Sequence, residues 1–315
     1  MKIVHLHKNG MFVQNNKSTD IIVRIGFMPQ TFWSHTVWFI LLGIATLMQL
    51  GFILKKASDK RHAMALFLVT SGVTFTVEVI IYCFFRVYDY YPMIFPHSPI
   101  DDGLAGNLFS QFSLSATAMV ISVYNLKYRW MVVFAGIYFL IEELFLHLGI
   151  YKQNFYSTWV TSAALLSLLF PVTKAIYKRK TVYTKKTLLR YYFMFLGLYT
   201  LHMPTALWIQ ILTGIMKPNT ELLSGDLQSY SLVSLLNLLI LSVVCTFVYF
   251  SKIHLLWKIL LTIALYAFLY LAKQYQIMYI KEDWFIPFAT IDIFAMYLYI
   301  YIMNRLMTNP YTLVH

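Results

Sequence analysis

Nine apolar runs, each close to 20 residues long, divide this chain, and no other feature limits its fold so tightly. A helix of about 20 residues matches the ~30 Å hydrocarbon core of a bilayer. In lipid, backbone N–H and C=O groups must be satisfied within the protein, which leaves helices as the form for such runs. Spanning helices are expected at about Phe32–Leu54, His62–Phe85, Leu104–Tyr124, Tyr128–Ile150, Thr158–Tyr177, Leu188–Ile215, Gln228–Phe250, His254–Ala272 and Trp284–Met303. The sixth carries His202-Met203-Pro204 and is expected to be interrupted there. Charged residues make up 12% of the chain, about half the ~25% of a soluble domain. The fold class is therefore an all-α integral membrane protein of about nine transmembrane helices.

The net charge of +12 does not indicate nucleic acid, because the basic residues sit in short loops between apolar runs. There they act as topology determinants and contacts for membrane lipids. The most basic stretch, 174–190, holds Lys174, Lys178, Arg179, Lys180, Lys185, Lys186 and Arg190, and is expected to meet anionic headgroups. Counted by side, 16 Lys and Arg fall with this loop and 9 on the opposite side. The positive-inside rule then places the N-terminus outside and the C-terminus in the cytoplasm. The four basic residues of the N-terminal tail count against that orientation. No cleavable leader is visible in the first 30 residues, where Ile21–Phe27 reads as an interfacial patch. Cys83 and Cys245 lie in separate apolar runs and offer neither metal spacing nor a disulfide framework. No Walker loop, dinucleotide fingerprint or HExxH zinc motif is present, and no cofactor is expected.

The chain divides into a polar tail (1–31), a first helix and turn (32–60), and two four-helix units (61–180 and 181–315). Set 125 residues apart, the units align helix on helix, with Gly72 on Gly197, Asp101 on Asp226 and Trp159 on Trp284. An even number of helices per unit gives both units the same orientation, as in parallel repeats.

Ionisable residues inside spanning helices are costly and mark functional sites by default. The run IYFLIEELFLHLGIY (137–151) carries Glu142, Glu143 and His147. Glu78, Glu143 and Asp292 each lie eight or nine residues from a helix end, which puts them ~12–14 Å deep at 1.5 Å per residue. Gln111 and His202 reach a similar level. These residues (Glu78, Gln111, Glu142, Glu143, His202, Asp292) are expected to form one polar layer flooring an outward-facing cavity. Glu143, His147 and Tyr151, like Glu78, Tyr82 and Arg86, follow at four-residue steps along one helix face. Asp101-Asp102 read as a solvated loop and helix cap.

The Tyr/Pro-rich loop YDYYPMIFPHSPIDDG, the late acids of IYFLIEELF and the following LGIYKQNFYSTW together resemble an uncharacterised multi-spanning membrane family of Gram-positive, often spore-forming, bacteria. The resemblance covers about Glu78–Lys180. It implies a multi-pass protein of the bacterial plasma membrane and no particular activity. Three functions are open: binding or passing a small polar or cationic ligand or a proton, modifying an isoprenoid or lipid with an intramembrane Glu as general acid, or serving as a structural or partner-binding subunit.

Overall fold

A computed structural model describes residues 32–155 and 157–308, apart from the side chains at 207 and 210–212. The tail and its apolar patch at 21–27 lie outside the described residues. The protein is a helical bundle. Eight helices among the described residues are long and apolar enough to cross a membrane: α1 (Phe32–Lys56), α2 (Lys60–Phe84), α3 (Pro99–Val123), α4 (Tyr128–His147), α5 (Thr158–Lys178), α7 (Asp226–Phe250), α8 (Leu255–Gln274) and α9 (Glu282–Met307). A further helix of 27 residues, α6 (Thr187–Thr213), passes through Pro204 without a break. The expected interruption is therefore absent. Beside the proline, the Thr205 hydroxyl donates to the Leu201 and His202 carbonyls (both 3.0 Å), the kind of side-chain support that lets membrane helices carry Pro.

Four three-residue strands, which no sequence pattern announced, pair into two antiparallel ribbons at one end of the bundle. β1 (Tyr88–Tyr90) pairs with β2 (Tyr151–Gln153), Tyr88 opposite Gln153. β3 (Met216–Pro218) pairs with β4 (Met278–Ile280), Met216 opposite Ile280. A residue with positive φ stands two positions before every strand: Arg86, Gly149, Gly214 and Gln276. Left-handed residues of this kind terminate helices. Here they turn each chain from helix into ribbon, with Ile150 N–H bonding back to Phe145 O and Ile277 N–H to Ala272 O.

Five pairs of element starts share one interval, counting the last helix from Phe285, where its regular α-helical part begins. Thr187 follows Lys60 by 127 residues, as Asp226 follows Pro99, Leu255 follows Tyr128, Met278 follows Tyr151 and Phe285 follows Thr158. The elements thus coincide at an offset of 127, two residues away from the 125 suggested by matching side chains.

At the centre, α2 and α6 pack together. A Cβ on Gly72 would lie 2.3 Å from the Leu196 carbonyl oxygen, so only glycine permits this approach of the two backbones. Thr200 Oγ1 donates to Leu68 O at 2.7 Å across the same interface. α3 packs on α1, α2 and α5, and α9 packs on α2, α6 and α7. α4 and α8 sit at the periphery, and large apolar side chains such as Leu140, Leu256 and Ile263 are exposed. In a soluble protein such a surface marks an interaction site; here it is the face a bilayer covers.

Candidate functional site

Glu78 is the last residue of regular α-helix in α2, and a π-helical segment, Val79–Phe84, begins directly after it. π-segments are rare and gather at functional positions. Glu78 is buried, at 3% exposure, and its carboxyl group accepts three hydrogen bonds. They come from Tyr88 Oη (2.6 Å), Gln111 Nε2 (2.8 Å) and Asn107 Nδ2 (3.0 Å). Asn107 and Gln111 stand four apart on α3 and so share a face, while Tyr88 comes from β1. Tyr88 lies outside the spanning segments, and burial, then the nearby Glu78, pushes its hydroxyl well above the usual tyrosine range. It therefore stays protonated and remains a donor. Around it, Tyr82, Tyr90 and Tyr151 stack with ring centroids 5.2–5.9 Å apart, spacings typical of favourable aromatic pairs.

The acids of α4 are met by side chains of β2 and α5. Glu142 accepts from Gln153 Nε2 (3.0 Å) and Thr161 Oγ1 (2.9 Å). Glu143 accepts from Thr158 Oγ1 (2.6 Å), and Thr158 also receives the Gln153 amide (3.0 Å). Gln111 donates to Glu78, and His147 is exposed at the end of α4. The four-residue ladders also fail at their ends. The helix stops at His147, so Tyr151 lies on β2, and the π-segment and the left-handed Arg86 displace the last step after Tyr82.

Glu78, Gln111 and Glu142 line one cavity of about 500 Å³, with Tyr88, Tyr90 and Tyr151 at the same end. From there it runs toward the opposite end of the bundle between α2 and α5, over apolar residues that reach Leu66 and Ile176. Such a volume suits a ligand of drug-like size or larger. The cavity has an open side: Val73, Val77, Leu168 and Val172 line it and are also exposed at the bundle surface. The gap exists because α5 packs on α2 mainly through its second half, Phe170–Lys178. The first half leans on α4 and carries its own π-helical segment, Leu165–Leu169, at the cavity wall.

The remaining expected site residues lie elsewhere. Glu143 is beside this cavity without lining it. His202 and Asp292 belong to the other half of the molecule, with His202 Nδ1 3.7 Å from Asp292 Oδ1, and line a separate small cavity between α6, α7 and α9. The expected single layer is thus two sites, because depth along a helix says nothing about which face a side chain occupies. Asp102 is not a solvated cap. It is buried and accepts the backbone N–H groups of Met93, Ile94 and Phe95 at 2.7–3.0 Å, folding the loop above α3. Asp101 accepts from Ser98 Oγ (2.5 Å) and Tyr230 Oη (3.3 Å). Sequence reasoning missed Tyr88, Tyr90 and Tyr138 as cavity residues. The cluster YDYYP in the loop after Glu78 was the available signal. Among the described residues, no group of three or more His, Cys, Asp or Glu is placed to hold a metal ion.

No family model matches this chain, and neither the curated proteins nor the solved structures contain a significant match to it.

Proposed function

We propose that this chain is a multi-pass protein of a bacterial plasma membrane that holds a membrane-dissolved amphiphile in the α2–α5 cavity. The head of the ligand is a hydrogen-bond donor or cation, and its tail is a single apolar chain. One observation carries the reading: a single cavity joins a carboxylate- and tyrosine-lined end to an apolar gutter open at the lipid-facing surface. Two carboxyl groups, Glu78 and Glu142, line the polar end, and they complement a donating head by charge and by hydrogen bonding. The apolar side opening supports this over passage of a hydrophilic ligand or proton through an outward polar cavity.

In this reading the end with the basic loops faces the cytoplasm, following the excess of Lys and Arg there, and both ribbons lie outside. The common 127-residue interval supports an origin of the two halves as parallel repeats, with α1 added. The resemblance of residues 78–180 to a bacterial membrane family is consistent with that setting.

The test is thermal unfolding of the purified protein in maltoside detergent with hexadecylamine or hexadecyl sulfate added. A ligand at 100 times its Kd stabilises by about 2.7 kcal/mol, so the amine should raise Tm by several degrees and the sulfate should not. Val77→Trp, which fills the gutter, should abolish the shift. An equal response to both amphiphiles, or an unchanged response in Val77→Trp, would sink the proposal.

A further inference from the structure

The small cavity at His202 and Asp292 occupies the same place in the second half as the amphiphile cavity in the first. At the 127-residue interval Thr205 stands for Glu78, Asp292 for Leu165 and Tyr299 for Val172, and all six residues line their respective cavities. The chemistry is rearranged. The wall acid of α2 is replaced by a threonine on α6, and an acid on α9 stands where the first half has a leucine on α5.

Two acceptor oxygens of this second site are unpaired. Asn237 Oδ1 and Asp292 Oδ2 are both buried and have no hydrogen-bond partner in the protein. Their residues are 5% and 9% exposed. The His202 ring is 3.7 Å from the other carboxylate oxygen, too far for a hydrogen bond. A buried carboxylate left in this state is strongly unfavourable, and either protonation or a positive charge beside it relieves the cost. The site is small, about 40 Å³, and a neighbouring space of about 60 Å³ shares His202, Ala206, Met216 and Asn237 with it. A space of this size excludes an acyl chain and accepts an ion or a water-sized group.

We propose that Asp292 and Asn237 bind a single alkali cation. The polar groups lining the space are the oxygens of Asp292, Asn237, Thr205 and Tyr299 together with the His202 ring; the oxygens suit a hard cation rather than a thiophilic metal, and one carboxylate balances one positive charge. Glu78 differs in that its carboxyl group already accepts from three protein donors.

The experiment is thermal unfolding of the full chain in detergent at constant ionic strength, replacing choline chloride stepwise with NaCl, KCl or LiCl. A saturable rise in Tm with at least one alkali ion, absent in choline, is expected for the wild type. Asp292→Asn should remove the saturable response while the hexadecylamine response of the first cavity persists, so the two readings fail separately. Should Asp292→Asn not fold, Asn237→Ala should still raise the half-saturating cation concentration at least tenfold. A wild-type response that does not distinguish alkali ions from choline overturns the proposal. So does a variant that keeps the wild-type midpoint, or a Tm that follows pH alone.

Discussion

The two halves share a helix plan and a ribbon plan, yet they treat equivalent positions of α2 and α6 in opposite ways, with a buried Glu78 in one and an exposed Thr205 in the other. In the first half, Glu78 is met by a tyrosine, an asparagine and a glutamine, and a wide cavity opens beside it. In the second, α6 presents Thr205, whose hydroxyl accepts from Tyr299 and donates to its own helix, and the space shrinks by an order of magnitude. The backbone interval is preserved while the polar partners are exchanged. Scaffold and site are therefore separable: helix starts and strand turns set the frame, and a few buried side chains set what each half can hold.

The strongest test of the comparison concerns the glycines that side-chain matching paired. A Cβ on Gly72 meets backbone atoms of α6, whereas one on Gly197 meets the flexible end of Met303. Gly72→Ala should cost about 3 kcal/mol and Gly197→Ala about 1 kcal/mol, as overpacking against rigid and yielding neighbours does. Chemical or thermal unfolding in detergent measures both, and equal losses would mean that the crossing of α2 and α6 is not the rigid centre.

Next in size is the acid itself. Glu78→Gln places an amide among three donors and should cost about 2 kcal/mol through unsatisfied buried groups. Thr205→Val, its counterpart, should cost about 1 kcal/mol. Tyr88→Phe removes one donor and should fall between them. An equal cost for Glu78→Gln and Thr205→Val would remove the distinction between the halves.

The smallest effect is at the start of α2. Asp59 caps this helix, accepting from His62 N–H (3.0 Å) and Tyr183 Oη (2.8 Å). Lys186 occupies the matching position before α6. Burial alone would raise the Asp59 carboxyl, but the His62 amide, the Tyr183 hydroxyl and the neighbouring His62 and Lys180 charges outweigh it and hold the group below its ordinary value. A depressed folded-state value means stability that is present above the unfolded value and lost as pH falls through the folded one. Stability should therefore decline below about pH 4, and Asp59→Asn should flatten that part of the curve. A wild-type curve that is already flat there would remove Asp59 from the account.

The helices were legible because an apolar run of ~20 residues has few other structural outlets. Glu78 and Gln111 were legible as residues at one depth, and they do touch. Three things were not legible. The ribbons are three residues long, too short for a two-residue alternation to stand out. The 127-residue interval between element starts was not visible in the residues, because lipid-facing positions accept many apolar side chains and leave little side-chain identity to align. The division into two cavities depended on rotation about each helix axis, and the π-helical turns after Glu78 and at Leu165 shift that rotation in a way residue spacing cannot show.

The gap between α2 and α5 has a consequence for how occupancy is counted. A molecule that enters sideways never crosses bulk water, so its dose is its mole fraction among neighbouring lipids. Diluting the sample with buffer would leave occupancy unchanged, whereas diluting it with extra lipid would empty the cavity. The quantity to hold constant between a micelle, a vesicle and a cell is thus composition per leaflet rather than molarity.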